Sequence, residues 1–111
     1  MSLAAMLGIS NDAFLALNGQ SVPYFLPFFQ QGWTGVYLAN AYDAGSEENT
    51  ESCDTVPGGP CSAAGVRDTE GAEGYVYVHN GIHGIGDLEA SRFDWNNPVA
   101  KITVRVSRSG F

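Results

Sequence analysis

The stretch that most limits what this chain can become is residues 41–61, AYDAGSEENTESCDTVPGGPC. It shows neither the 3.6-residue period of a helix nor the alternation of a strand. It holds Asp43, Glu47, Glu48, Glu51 and Asp54, five of the twelve carboxylates, and no Lys or Arg precedes Arg67. Carboxylates crowded this way repel one another unless water solvates them or a cation is shared. Two readings therefore stand at this point. One is a solvated surface loop. The other is a site for a hard cation with oxygen ligands, calcium above all. Cys53 and Cys61 lie eight apart across Pro57-Gly58-Gly59-Pro60. They can close a small disulfide loop, which points to an oxidising compartment.

With 111 residues, 44% hydrophobic and 15% charged, the chain reads as a single globular domain, residues 1–111. Fourteen glycines and five prolines argue against a helical bundle. A net charge of −7 with no Lys/Arg cluster argues against nucleic acid and against anionic membrane surfaces. No apolar run reaches the roughly 18 residues of a membrane-spanning helix. The apolar run at residues 3–9 has no basic flank and no cleavage site, so it does not read as a signal peptide. A secretion leader is expected to lie outside these residues.

Residues 2–10 read as a buried strand, with a short helix as the alternative, and residues 13–17 as a second apolar run. Asn18-Gly19 is a hairpin signal, with a returning strand expected from Gln20 to Val22. Residues 35–42 read as a strand running into the acidic loop, and the loop as continuing to about Gly74. Residues 75–79, YVYVH, alternate, and Asn80-Gly81 is a second hairpin-type turn. Residues 99–107 carry the clearest alternation in the chain. Short strands joined by Gly, Asn and Pro turns predict an all-β, antiparallel fold of the sandwich type. Between the strands, residues 23–31, PYFLPFFQQ, place large apolar side chains around Pro27. The segment either folds over the core or presents Tyr24, Phe25, Leu26, Phe28 and Phe29 to a partner or a second subunit.

Several separated stretches together resemble one family, the spondin N-terminal domain, and most closely its bacterial members. They are Ser10-Asn11-Asp12-Ala13-Phe14, Tyr42-Asp43-Ala44-Gly45-Ser46-Glu47, the run from His79 to Leu88, and Asn97-Pro98-Val99-Ala100-Lys101-Ile102. The resemblance covers most of residues 2–105. It implies a C2-like antiparallel β-sandwich binding calcium through loop carboxylates at one end, in an extracellular adhesion or assembly module without catalysis. Carried over residue by residue, Asp12, Asp43 and Glu47 are the implied ligands. The chain departs from the pattern at Asn11, where the family has Pro, and at Ala13, where it has Trp. The segment PYFLPFFQQGW reads as an insertion or divergence. The family's N-terminal strands do not precede residues 2–6, so the chain corresponds to the C-terminal portion of the family domain. A sandwich without them leaves bare edges and an uncovered apolar face, so the fold is either a reduced version or is completed by a partner chain or by a second subunit, and a homo-oligomer is expected.

His79, His83 and Asp87 stand four apart in series. Two imidazoles and a carboxylate are a ligand set of some zinc and iron sites. Gly81, Gly84 and Gly86 between them favour a hydrogen-bonded loop instead. Three functional readings follow. The first is a secreted calcium-binding module. The second is a metal-dependent enzyme built on His79, His83 and Asp87. The third is a calcium-dependent carbohydrate-binding module, with Trp33, Tyr37 or Trp95 stacking on a glycan. The first is favoured, because no G-x-S-x-G and no glycine-rich phosphate loop appears.

Overall fold

A computed structural model describes residues 1–27 and 30–108. Its strands are β1 (Leu3–Met6), β2 (Ala13–Leu17), β3 (Gly32–Asp43), β4 (Tyr77–Val78) and β5 (Ala100–Ser107). A single helical turn, α1 (Ala90–Phe93), is the one helix among the described residues. All strand pairs are antiparallel and belong to one five-stranded sheet. The all-β antiparallel expectation holds. A second sheet packed on the first is not present among the described residues.

β3 is the axis. Its C-terminal half pairs with β2 (Ala13↔Asp43 to Ala16↔Asn40), and β2 pairs with β1. Its N-terminal half pairs with β5 over Gly32↔Ser107 to Ala39↔Ala100, a two-stranded ribbon. The long alternating run of β5 stands because each residue has a cross-strand neighbour. β4 and β5 share one edge of β3. His79 N–H donates to Ala41 O at 2.9 Å, and Val99 N–H to Ala39 O at 2.9 Å. Asn97 fills the gap between them: its Oδ1 accepts from Ala41 N–H at 2.6 Å, and its Nδ2 donates to His79 O at 2.9 Å. The side-chain amide thus takes the place of a missing strand residue.

Four sequence expectations are corrected. The buried strand read at residues 2–10 is the shorter β1, exposed at all its positions because it lies at the edge of the sheet, away from the core. Asn18-Gly19 does not turn a hairpin: both edges of β2 are occupied by β1 and β3, so Gln20 N–H instead bonds Met1 O at 2.9 Å. The strand expected at 75–79 shrinks to Tyr77–Val78, because β3 ends at Asp43 and offers residues 75 and 76 no partner. Asn80-Gly81 joins no paired strands, since β5 pairs only β3. The long loop is as expected, without regular structure from Ala44 to Val76.

Burial is concentrated at the Asp43 end. Ala13, Ala39 and Ala41 are fully buried, and their small side chains let the loops approach the sheet closely. The loops carry their own core of Val56, Cys61, Ile82 and Leu88, flanked by Cys53, Phe93 and Trp95. The expected Cys53–Cys61 disulfide is formed beside it. The ribbon lies away from this core. The molecule measures 55 × 28 × 24 Å with a radius of gyration of 17.8 Å, against about 13 Å for a compact chain of this length.

Leu88 is fully buried with no strand to anchor it. Leu88→Ala is therefore expected to cost about 2–5 kcal/mol, read as a lowered urea midpoint with an unchanged slope.

Candidate functional site

Where β3 ends, Asp43 has a fully buried side chain. Its Oδ1 accepts Gly45 N–H at 2.7 Å, and its Oδ2 accepts from Asn49 Nδ2 and from the Tyr77 hydroxyl, the latter at 2.9 Å. Gly45 has φ 69°, and a Cβ there would lie 2.1 Å from Tyr75 O, so glycine is required where the loop leaves the sheet. The Tyr77 hydroxyl is also 3.0 Å from Glu73 Oε1 and accepts from Asn49 Nδ2 at 3.1 Å. A phenol has one proton and cannot serve both carboxylates. Burial, and then the bonds to Asp43 and Glu73, push the Tyr77 pKa well above its ordinary value.

Asp12 lies next to Asp43 across the β2–β3 pairing and is 6% exposed. Its Oδ2 accepts three donors: Ser46 N–H at 2.7 Å, Glu47 N–H at 2.9 Å and Ser46 Oγ at 3.0 Å. Its Oδ1 is buried and has no hydrogen-bond partner; Glu73 Oε2 is in the same condition. A buried acceptor left unmatched costs about 1–3 kcal/mol, more when charged. Glu47 is buried, and its Oε1 meets Arg67 Nε at 3.2 Å, Arg67 itself being largely exposed. Asp12, Glu47 and Arg67 border a cleft of about 670 Å³ whose walls include Met6, Phe14 and Val66. Asp12, Asp43 and Glu47 are thus brought to one end of the sheet. Their carboxylates mostly receive donors there, and among the described residues no group of three or more His, Cys, Asp or Glu is arranged to hold a metal ion.

The second residue set is divided among separate tasks. His79 is buried, and its Nδ1 accepts Gly81 N–H at 3.1 Å, which puts the proton of the neutral ring on Nε2. That nitrogen is 4.0 Å from Asp43 Oδ2, too long for a hydrogen bond, and the ring packs 4.8 Å from Trp95. Burial lowers its pKa most strongly, against the opposing pull of Asp43 and Asp12. His83 is exposed, with its Nδ1 4.0 Å from Glu51 Oε2. Asp87 Oδ2 accepts Cys53 N–H at 2.8 Å.

Glu51 is the residue that sequence reasoning left inside the acidic cluster without a role. It is 4% exposed and has φ 54°. Its carboxylate accepts the backbone N–H groups of His83 at 2.8 Å, Gly84 at 2.7 Å and Ile85 at 3.2 Å. Its carbonyl receives Asp87 N–H at 2.8 Å and Leu88 N–H at 3.3 Å. Asn11 Nδ2 donates to Thr55 Oγ1 at 2.8 Å, and its Oδ1 accepts Glu51 N–H at 3.2 Å. Tyr77 and Glu73 were also missed. The alternation of YVYVH carried a signal for Tyr77, because it sets Tyr77 and His79 on one strand face. Of the apolar segment, Tyr24 is 91% and Phe25 65% exposed, with ring centroids 5.3 Å apart, and Leu26 is half-buried. Phe28 and Phe29 lie outside the described residues.

No family model, curated protein or solved structure matches this chain.

The His79 site makes a pH prediction. Its folded pKa lies below the unfolded value, so the unfolded chain binds the proton more readily. The stability tied to the neutral ring is present above about pH 6.5 and is lost as pH falls toward the folded pKa. Urea midpoints are expected to fall between about pH 7.5 and pH 5, and His79→Asn to flatten that fall.

Proposed function

We propose that this chain is a calcium-stabilised, non-catalytic β-module of the spondin N-terminal type, acting in adhesion or assembly outside the cell. The observation that carries the reading is the buried Asp12 Oδ1, a charged oxygen with no donor. A hard divalent cation is the natural complement of such an oxygen. Asp12 is also the aspartate that the resemblance assigns as a ligand. Asp43 Oδ1 accepts one donor and keeps a lone pair for a cation. Glu47 Oε1 is shared with a solvent-exposed Arg67, a pairing worth little in water. With backbone carbonyls and water, these three could furnish the about six to eight oxygens that calcium takes. The ion would supply positive charge to a loop region that has five acids before its first base.

Secretion is supported by the Cys53–Cys61 bridge, which is compatible with an extracellular protein. No helix among the described residues is long and apolar enough to cross a membrane. The C2-like sandwich remains part of the proposal, with the single sheet as one of its layers. The enzyme reading is less well supported, because His79, His83 and Asp87 each serve a different local hydrogen bond or face solvent.

Thermal unfolding with calcium and then with chelator tests the reading. At about 100 times the dissociation constant, a native-state ligand adds roughly 2.7 kcal/mol, on the order of a 10 °C rise in a domain of this size. The rise is expected in the wild type and should vanish in Asp43→Ala. A wild-type Tm that does not respond to calcium would count against the proposal.

A further inference from the structure

Arg67 is the first Lys or Arg in the chain, and the fold carries it straight onto a buried acid. Gly65, with φ 84°, and a turn closed by Val66 N–H donating to Ala63 O at 3.0 Å lead the chain back toward the sheet. Glu48 N–H then donates to Asp68 O at 2.8 Å, which sets the neighbouring residues Glu47 and Arg67 within reach of each other. Arg67 Nε donates to Glu47 Oε1 at 3.2 Å. Among the described residues that is the one side-chain hydrogen bond Arg67 makes. The two ends of the pair are unlike: the Glu47 side chain is 7% exposed and that of Arg67 58%.

A guanidinium this exposed returns to water at little cost. A buried carboxylate left without a counter-charge does not stand comparably well. Glu47 therefore calls for a cation, and Arg67 is the one the chain itself supplies. Asp12 adjoins the pair, since its Oδ2 accepts Glu47 N–H at 2.9 Å. Its Oδ1 is buried without a partner, in a residue only 6% exposed. That orphaned oxygen is an observation independent of Arg67, and the guanidinium does not satisfy it. Arg67 thus compensates one acid and leaves its neighbour uncompensated. A divalent ion shared by Asp12 and Glu47 compensates both. Guanidinium and ion beside the same Glu47 oxygen repel each other, so the two exclude one another there.

Resting on the calcium reading above, we infer that Arg67 is a tethered competitor of calcium for Glu47 and sets the affinity of the site. In the ion-free chain the guanidinium holds Glu47 Oε1. With the ion bound, Glu47 turns to it and Arg67 goes out to solvent. The competition accounts for the arrangement of the described residues, in which the carboxylates are brought to one place without being disposed around an ion: Glu47 is held by Arg67 instead. Arg67 is not itself a ligand. It acts on the ion only through Glu47 and through its own charge.

Calorimetric titration of the 111-residue chain and of Arg67→Gln with calcium chloride tests this, with circular dichroism as the check on folding. Arg67→Gln is expected to bind calcium about two- to fivefold more tightly, the range that an exposed ion pair is worth. A second measurement needs no variant to fold. Hydrogen exchange of the Arg67 Nε–H in the wild type, followed by heteronuclear NMR, is expected to lose on calcium addition the protection that Glu47 gives it. Equal or weaker calcium binding by folded Arg67→Gln overturns the inference and leaves the calcium site standing. So does an Nε–H exchange rate that calcium does not change. Binding measurable in Arg67→Gln alone supports it, as competition strong enough to mask the wild-type site. Absence of calcium binding in both chains overturns the calcium reading itself, and this inference falls with it.

Discussion

The contact on which the rest depends is the acceptance of three donors by one oxygen of Asp12. Asp12 precedes β2, and Ser46 and Glu47 follow β3, so the contact ties the two chain segments that leave the same end of the sheet. It is made by a charged acceptor, which makes each bond stronger than a neutral one. Ala44 N–H, bonded to Asp12 O at 3.3 Å, extends the tie into the backbone. With the loop's first turn held there, Asp43 is sealed from water and Asn49 and Tyr77 converge on it. The same event leaves Asp12 Oδ1 buried without a donor. The structural bond and the proposed ligand are two oxygens of one carboxylate.

A long loop without strands or helices must find other partners for its backbone groups. Here carboxylates and amides supply them. Glu51 accepts three consecutive N–H groups of the glycine-rich run, and Asn97 stands in for a strand residue between β4 and β5. Gly86 is needed beside the first of these, since a Cβ there would sit 2.5 Å from Glu51 O. The acids of the loop therefore divide into those that organise the backbone, such as Glu51 and Asp87, and those with capacity to spare, such as Asp12. The disulfide and the Val56–Leu88 cluster then hold the loop as a small second core.

What could be read from the sequence follows from this division. β5 and the lower part of β3 were legible because their alternation is long and each strand has a partner along its length. The disulfide was legible because its two cysteines are the only ones and lie close in sequence. Asn18-Gly19 misled because turn chemistry says nothing about whether a free strand edge is available to pair. Glu51 was illegible because a charged residue in an acidic run reads as exposed, whereas three backbone donors and a left-handed φ bury it. Asp12 and Asp43 were placed at one end by resemblance and are found there, though the convergence of their oxygens on a cation is not a feature of the described geometry. The sandwich expected from the strand pattern goes beyond what the described residues form, which is a single five-stranded sheet.

The central claim is that Asp12 holds a cation, and equilibrium dialysis against calcium tests it most directly. The account predicts saturable binding of one ion per chain, abolished in Asp12→Asn with the fold intact by circular dichroism. Absence of saturable binding in the wild type, or undiminished binding in Asp12→Asn, would contradict it.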